Sequence, residues 1–233
     1  MKKLTKPTCY LCEKELVGNT TEDHIIPDGL FEKNDPYRPK LVVHETCNSS
    51  KSLDDEWFIK NLQIRSSNNP EAMAKLRKFM DQAIQEKNQA YIIGGKIHKY
   101  KLARSLFNDV TWGLELKSKG KDLIQLKIHT DEARFYRYIK NMCRGLFIFN
   151  IANSKPPIPE VFPMQYEYLN AKNRLQDKME NIHRLIKSNR SGNFGQQWAN
   201  RILYVGSRVT ETPNKGYIFM EFYSQFGILA FFK

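Results

Sequence analysis

The sequence predicts an α+β protein in two parts: a small zinc-stapled strand–strand–helix module over residues 1–60 and a basic mixed α/β domain over residues 61–233. Three observations predict it. Cys9-x-x-Cys12 and His44-x-x-Cys47 bracket a segment patterned for two short strands. A unit of that size buries little core unaided and calls for a staple. The charge also changes sign along the chain. Residues 1–56 hold eight Lys/Arg against eleven Asp/Glu, whereas the remainder holds 29 against 14. Beyond residue 60, helical and strand-like periodicities alternate without an internal repeat.

In order, residues 21–26 read as a strand ended by Pro27-Asp28-Gly29, and residues 41–43 as a second. Between them Asn34-Asp35-Pro36-Tyr37-Arg38-Pro39 is a loop. After Cys47 the pattern turns helical, with Leu53 and Trp57 four residues apart on one face. Asn69 suits an N-cap and Pro70 the first position of a second helix, whose stripe is Met73, Leu76, Met80, Ala83 and Ile84 to about Asn88. From Tyr91 the pattern is strand-like, with Gly94-Gly95 at a hairpin turn. Another hairpin is expected around residues 117–121, flanked by residues 111–116 and 123–128. Thr130 or Asp131 would cap a helix to about Asn150, burying Phe135, Tyr138, Ile139, Met142, Leu146 and Phe149. Pro156-Pro157-Ile158-Pro159 ends that element, and residues 164–187 suit a further helix. Residues 188–195 read as a loop, and residues 202–209 and 217–232 as strands closing a sheet.

No apolar run approaches the roughly 20 residues a membrane span needs. The basic N-terminus has no apolar segment behind it, so a signal peptide is not expected and the cytoplasm is the default compartment. Cysteines there are read as metal ligands before disulfides. The net charge of +12 calls for a polyanionic partner, most simply nucleic acid.

The chemistry is concentrated in residues 9–51. Cys9 and Cys12 have zinc-knuckle spacing, and His44 and Cys47 supply a second half-site, giving a closed and therefore structural Cys3His set for Zn²⁺. Asp23-His24 lies between the halves. An imidazole near its intrinsic pKa of about 6.5 suits a general base. The Asp23 carboxylate and the Asn48 carboxamide are hard oxygen donors suited to Mg²⁺ or Mn²⁺. Adjacent strand residues point to opposite faces, so a twist or bulge would have to bring Asp23 and His24 to one site. Cys143, among Tyr138, Met142 and Leu146, reads as a core residue.

Cys9-x-x-Cys12, then Asp23-His24-Ile25-Ile26-Pro27, then His44-x-x-Cys47-Asn48-x-x-Lys51, resembles the HNH endonuclease family with its ββα-metal fold, over residues 9–58. The zinc-stapled, endonuclease VII-like type and small bacterial HNH proteins are the nearest patterns. The resemblance implies His24 as general base, Asp23 and Asn48 holding one catalytic cation, and Cys9, Cys12, His44 and Cys47 holding zinc. It also implies hydrolysis of DNA phosphodiesters to 5′-phosphate and 3′-hydroxyl ends, with Lys51 on a flanking phosphate. The family's middle asparagine has no counterpart; the segment reads Arg38-Pro39-Lys40-Leu41.

Residues 61–233 would then supply the grip on DNA. The candidates are Arg134, Arg137, Lys140 and Arg144 at helical spacing, Lys117, Lys119 and Lys121 on a turn, and Arg184, Lys187 and Arg190. Cutting both strands with one site per chain would favour a homodimer. Two alternatives stand beside an endonuclease: a non-cleaving, zinc-stapled DNA-binding protein, and an RNA-cleaving toxin or defence effector.

Overall fold

The computed structural model describes residues 7–33, 35, 38–66, 69–93, 97–108, 110–113, 125–128, 131–151, 160–165, 194–198, 202–208, 215–223 and 226–232. The fold is α+β. Strands β1 (Thr20–His24) and β2 (Lys40–His44) pair antiparallel, with Thr20 opposite His44 and His24 opposite Lys40. A 3-10 turn, Asp28–Leu30, follows β1 and buries Leu30. Helix α1 (Glu45–Arg65) begins at the residue after β2, and the Glu45 amide donates to the Asn19 carbonyl at 3.1 Å. The strand–strand–helix order read from the sequence is therefore present, and α1 crosses residue 60 without a break.

Two helices follow, α2 (Pro70–Ile93) and α3 (His98–Asn108). The Asn69 carboxamide oxygen accepts from the Glu71 and Ala72 amides at 2.9 and 3.1 Å, which is the N-cap expected of it. The hairpin expected from Tyr91 is not there. Residues 91–93 complete α2 and α3 begins at His98; residues 94–96 lie outside the described residues. The apolar Tyr-Ile-Ile run has strand propensity, but a well-capped helix continues through it against α3. The Glu86 carboxylate seals that pairing by accepting from the Lys99 and Tyr100 amides at 2.7 and 3.3 Å.

Strands β3 (Val110–Gly113) and β4 (Gln125–Ile128) pair antiparallel, as the expected hairpin requires; its turn lies outside the described residues. Helix α4 (Glu132–Ile151) starts where Asp131 accepts from the Arg134 amide at 2.9 Å. Then β5 (Glu160–Gln165), β6 (Phe194–Trp198), β7 (Ile202–Arg208), β8 (Gly216–Phe222) and β9 (Phe226–Phe232) form one antiparallel sheet in the order β5-β9-β8-β7-β6. Met164 and Gln165 end β5 instead of opening a helix; residues 166–187 lie outside the described residues.

One apolar core joins these parts. Phe58 of α1 stacks on Tyr138 of α4 with centroids 4.1 Å apart and meets Phe222 of the sheet edge-on at 6.3 Å. On the far side of α4, Phe147 stacks on Phe232 at 4.0 Å, and Cys143 is buried against Met220. A Cβ on Gly145 would lie 2.8 Å from Ile25 and 2.9 Å from Tyr10, so this glycine lets α4 press against the base of the first module. In α1 the burial begins in earnest at Trp57. Leu53, one turn earlier, is 76% exposed and does not share the buried face expected for the pair. Among the described residues no helix is long and apolar enough to cross a membrane.

Candidate metal centre and the imidazole site beside it

Residues 7–16 fold into a knuckle. Leu16 donates to the Pro7 carbonyl and Cys9 to that of Lys14, both at 2.9 Å, while the Glu13 amide returns to the Cys9 carbonyl at 2.9 Å. The tightness shows at Glu13, a non-glycine residue with φ of 66°. This turn aims Cys9 and Cys12 the same way. His44 closes β2 and Cys47 lies in the first turn of α1, so the strand–helix junction presents the second pair.

One donor atom from each of Cys9, Cys12, His44 and Cys47 lies within 4.8 Å of the others. In a tetrahedral site with Zn–S bonds of about 2.3 Å, sulfurs sit about 3.8 Å apart. The Cys12 and Cys47 sulfurs lie 3.4 and 3.9 Å from His44 Nδ1, so the set needs little contraction. His44 Nε2 lies 3.0 Å from the Glu15 carbonyl, which can only accept, so Nε2 carries the proton and Nδ1 is the free ligand atom. The thiols bear the marks of crowding. Burial pushes Cys47 up to about 12, with its donation to Cys12 and the neighbouring sulfurs adding to it. Burial would raise Cys12 too, but bonds from the Lys14 amide and from Cys47 and Cys9 bring it below its ordinary value. Thiols sharing protons in this way are a set that a cation can displace protons from. The residues fit a zinc ion.

His24 sits at the opposite end of the β1–β2 ladder. Its side chain is about one-third exposed, and its pKa is lowered: burial contributes most, Asp28 and more weakly Asp23 oppose it, and Lys40 and Arg38 add to it. A neutral imidazole near pH 7 is the form that accepts a proton. Asn48, in the first turn of α1, donates through Nδ2 to the Glu22 carbonyl at 3.3 Å, which sets its carboxamide against β1.

Asp23 is elsewhere. The strand alternation is not overcome, and its side chain points inward at 4% exposure. The Tyr10 hydroxyl donates to Oδ2, and the Lys51 ammonium donates to Oδ1 at 3.1 Å. Lys51 also donates to the His24 carbonyl at 2.8 Å and pairs with Asp55 at 3.2 Å; the Tyr138 hydroxyl donates to that same carboxylate. Burial raises Asp23 despite its cationic neighbour and drives both tyrosines well above their ordinary pKa. The sequence expectation for Lys51 is thus corrected. At 6% exposure it faces two carboxylates, not a flanking phosphate. Asp23 and Asn48 are not brought together on an open surface, because Tyr10 and Tyr138 build a buried polar network around the aspartate.

Helix α4 also departs from its expected role. Arg144 is 2% exposed and pairs with Glu13 of the knuckle at 2.6 Å. Arg134 binds Asp54 of α1 and lies over the Trp57 ring at 4.3 Å. These two hold the acidic module to α4 and do not face a backbone of phosphates. Arg137 is 66% exposed, 3.9 Å from Asp54, and Lys140 is half-buried. Lys117, Lys119, Lys121, Arg184, Lys187 and Arg190 lie outside the described residues. A cleft of about 440 Å³ runs between Leu11, Cys12, the first turns of α1 and Arg137, Tyr138 and Asn141 of α4.

Sequence reasoning passed over Asp28 and Arg38. Asp28 stands one turn from His24, with Oδ1 3.7 Å from its Nε2, and Arg38 Nη1 donates to the same oxygen. The signal was available: Arg38 precedes by two residues the Lys40 that pairs across from His24. Neither a protein-family profile, nor a curated protein, nor a solved structure matches the chain.

Proposed function

We propose that the protein is a metal-dependent DNA endonuclease of the zinc-stapled HNH type. The observation that carries the reading is the two-ended β1–β2 ladder: a complete Cys3His donor set at one end, a neutral, partly exposed His24 at the other, and Asn48 of α1 held on the Glu22 carbonyl between them. Zinc would hold the knuckle to the strand–helix junction. Water would attack the phosphorus and lose its proton to His24, the phosphorus–3′-oxygen bond would break, and the leaving oxygen would take up a proton, giving 5′-phosphate and 3′-hydroxyl ends. A divalent cation, when bound, would supply Lewis-acid stabilisation of the charge on the phosphate. Of the expected ligands, both Asp23 oxygens are taken by Tyr10 and Lys51, and Asn48 is held through Nδ2 on the Glu22 carbonyl, so the steps here are assigned to the chain's own groups.

That engagement of Asp23 is the observation favouring the second reading, a non-cleaving DNA-binding protein. One assay separates them. Purified protein is incubated with supercoiled plasmid, and in parallel with RNA, with Mg²⁺ or Mn²⁺, beside His24→Ala and a chelator control. Nicking by wild type that is lost in His24→Ala is the expected result. Nicking that survives in His24→Ala, or binding without cleavage of either nucleic acid, would overturn the endonuclease reading. Cleavage of RNA alone would move it to the ribonuclease alternative.

A further inference from the structure

The His24 site contains a second cation-bearing side chain whose geometry is that of an anion grip. Ile25 donates to the Pro39 carbonyl at 3.0 Å, so the β1–β2 pairing continues past His24 and fixes the Arg38-Pro39 segment beside the end of β1. Arg38 Nη2 donates to the Glu32 carbonyl at 2.8 Å, and its guanidinium carbon lies 5.4 Å from the centre of the Phe31 ring. Phe31 is itself buried, and its amide closes the turn on the Asp28 carbonyl at 3.0 Å. The guanidinium is thereby anchored at one edge and one face. Its other edge meets an anionic oxygen, Asp28 Oδ1, and the same oxygen stands 3.7 Å from His24 Nε2.

At 3.7 Å the carboxylate is too far from the imidazole to orient it by a hydrogen bond. Asp28 is more than half exposed on a three-residue turn, so it can swing into water without disturbing the core. Arg38 would stay where Glu32 and Phe31 hold it. The geometry points to Arg38 as the residue that grips the phosphodiester presented to His24, with Asp28 Oδ1 marking the position of a non-bridging phosphate oxygen. A guanidinium suits that task because it can be anchored through Nη2 on Glu32 while Nη1 still presents its N–H groups and a fixed positive charge to the anion. Lys40, across the ladder from His24, adds positive charge to the same face. The inference rests on the nuclease reading and names the group that would hold its substrate.

The test is made without cleavage. A short DNA duplex is titrated into zinc-loaded protein without added Mg²⁺ or Mn²⁺, and the His24 ring signals are followed by NMR. Wild type is expected to show saturable shifts. Arg38→Gln is expected to weaken them by about tenfold or more, the loss of one charge-assisted pair. Arg38→Lys should recover part of that loss, and Lys78→Gln, at an exposed position of α2, should leave the His24 shifts unchanged. Unperturbed melting of each variant shows that the fold is intact. Equal affinity in Arg38→Gln and wild type, or no shift at His24 in wild type, overturns the assignment. Shifts that depend on Arg38 in a protein that nicks no plasmid would support the grip and overturn the hydrolytic reading alone.

Discussion

At one end of the β1–β2 ladder, His44 stands opposite Thr20 with both ring nitrogens committed, one to a backbone carbonyl and one to a cluster of sulfurs. At the other end, His24 stands opposite Lys40, partly open to solvent, its nearest carboxylate 3.7 Å away and already bonded to Arg38. Four residue steps, about 14 Å of strand, separate two histidines of the same intrinsic chemistry. What differs is how completely the surroundings spend their hydrogen-bonding capacity. A fully spent imidazole is a structural part; an unspent, neutral one is available for proton transfer.

Removing the first end should have the largest effect. Cys9→Ser or Cys47→Ser is expected to abolish stoichiometric zinc and the cooperative melt of the module, since structural zinc sites contribute on the order of 10 kcal/mol to folding. Metal analysis and circular dichroism read both; a normal melt without zinc would break the contrast between the ends. His24→Ala should do the reverse, lowering cleavage by about 10²–10⁴-fold while shifting stability by less than about 1 kcal/mol.

Lys51 lies between the ends and sharpens the comparison. Lys51→Met would leave Asp23 and Asp55 facing each other around an apolar side chain, and a loss of about 3–5 kcal/mol is expected in denaturant unfolding. Arg137→Ala, on the exposed face of α4, should cost under about 0.5 kcal/mol. Similar losses in the two variants would show that the buried network has been misread.

The smallest effect is one of pH. With the His24 pKa lowered below about 6.5, its neutral form is favoured by folding. The stability it contributes is fully present above that value and is lost as pH falls through the folded pKa. The cleavage rate should follow the same direction, staying on its plateau to a pH lower than a free imidazole would allow. An acid limb centred above 6.5 would contradict the environment described for this residue.

Much of the first end was legible because its information is local. A knuckle turn, a strand–helix junction and two x-x spacings declare the Cys3His set with no knowledge of the rest, and Asn69-Pro70 declares the start of α2 in the same way. The second end was only half legible. His24 and Asn48 could be named, but the inward commitment of Asp23 depends on Tyr10, 13 residues before it, and on Lys51, 28 after it. The charges on α4 misled for the same reason. Helical spacing groups Arg134 with Arg144, yet Asp54 and Glu13, distant in sequence, decide which way each one points. At Tyr91 the local signal was present and lost, since continuation of α2 against α3 outweighed strand propensity.

Helix α1 has a mechanical consequence. Its 21 residues make a rod about 30 Å long. Near one tip are Cys47 and Asn48; at the other, Arg65 lies over Phe135 and Phe226, and Gln63 reaches the Tyr223 hydroxyl beside the large sheet. A tilt of about 2° pivoting at the sheet would carry Asn48 through about 1 Å, a displacement large enough to change a catalytic rate a hundredfold. The sheet thereby has leverage over the position of Asn48 against β1, and on the proposed nuclease reading substitutions at Tyr223 would be felt there as changes of rate without any change of ligand.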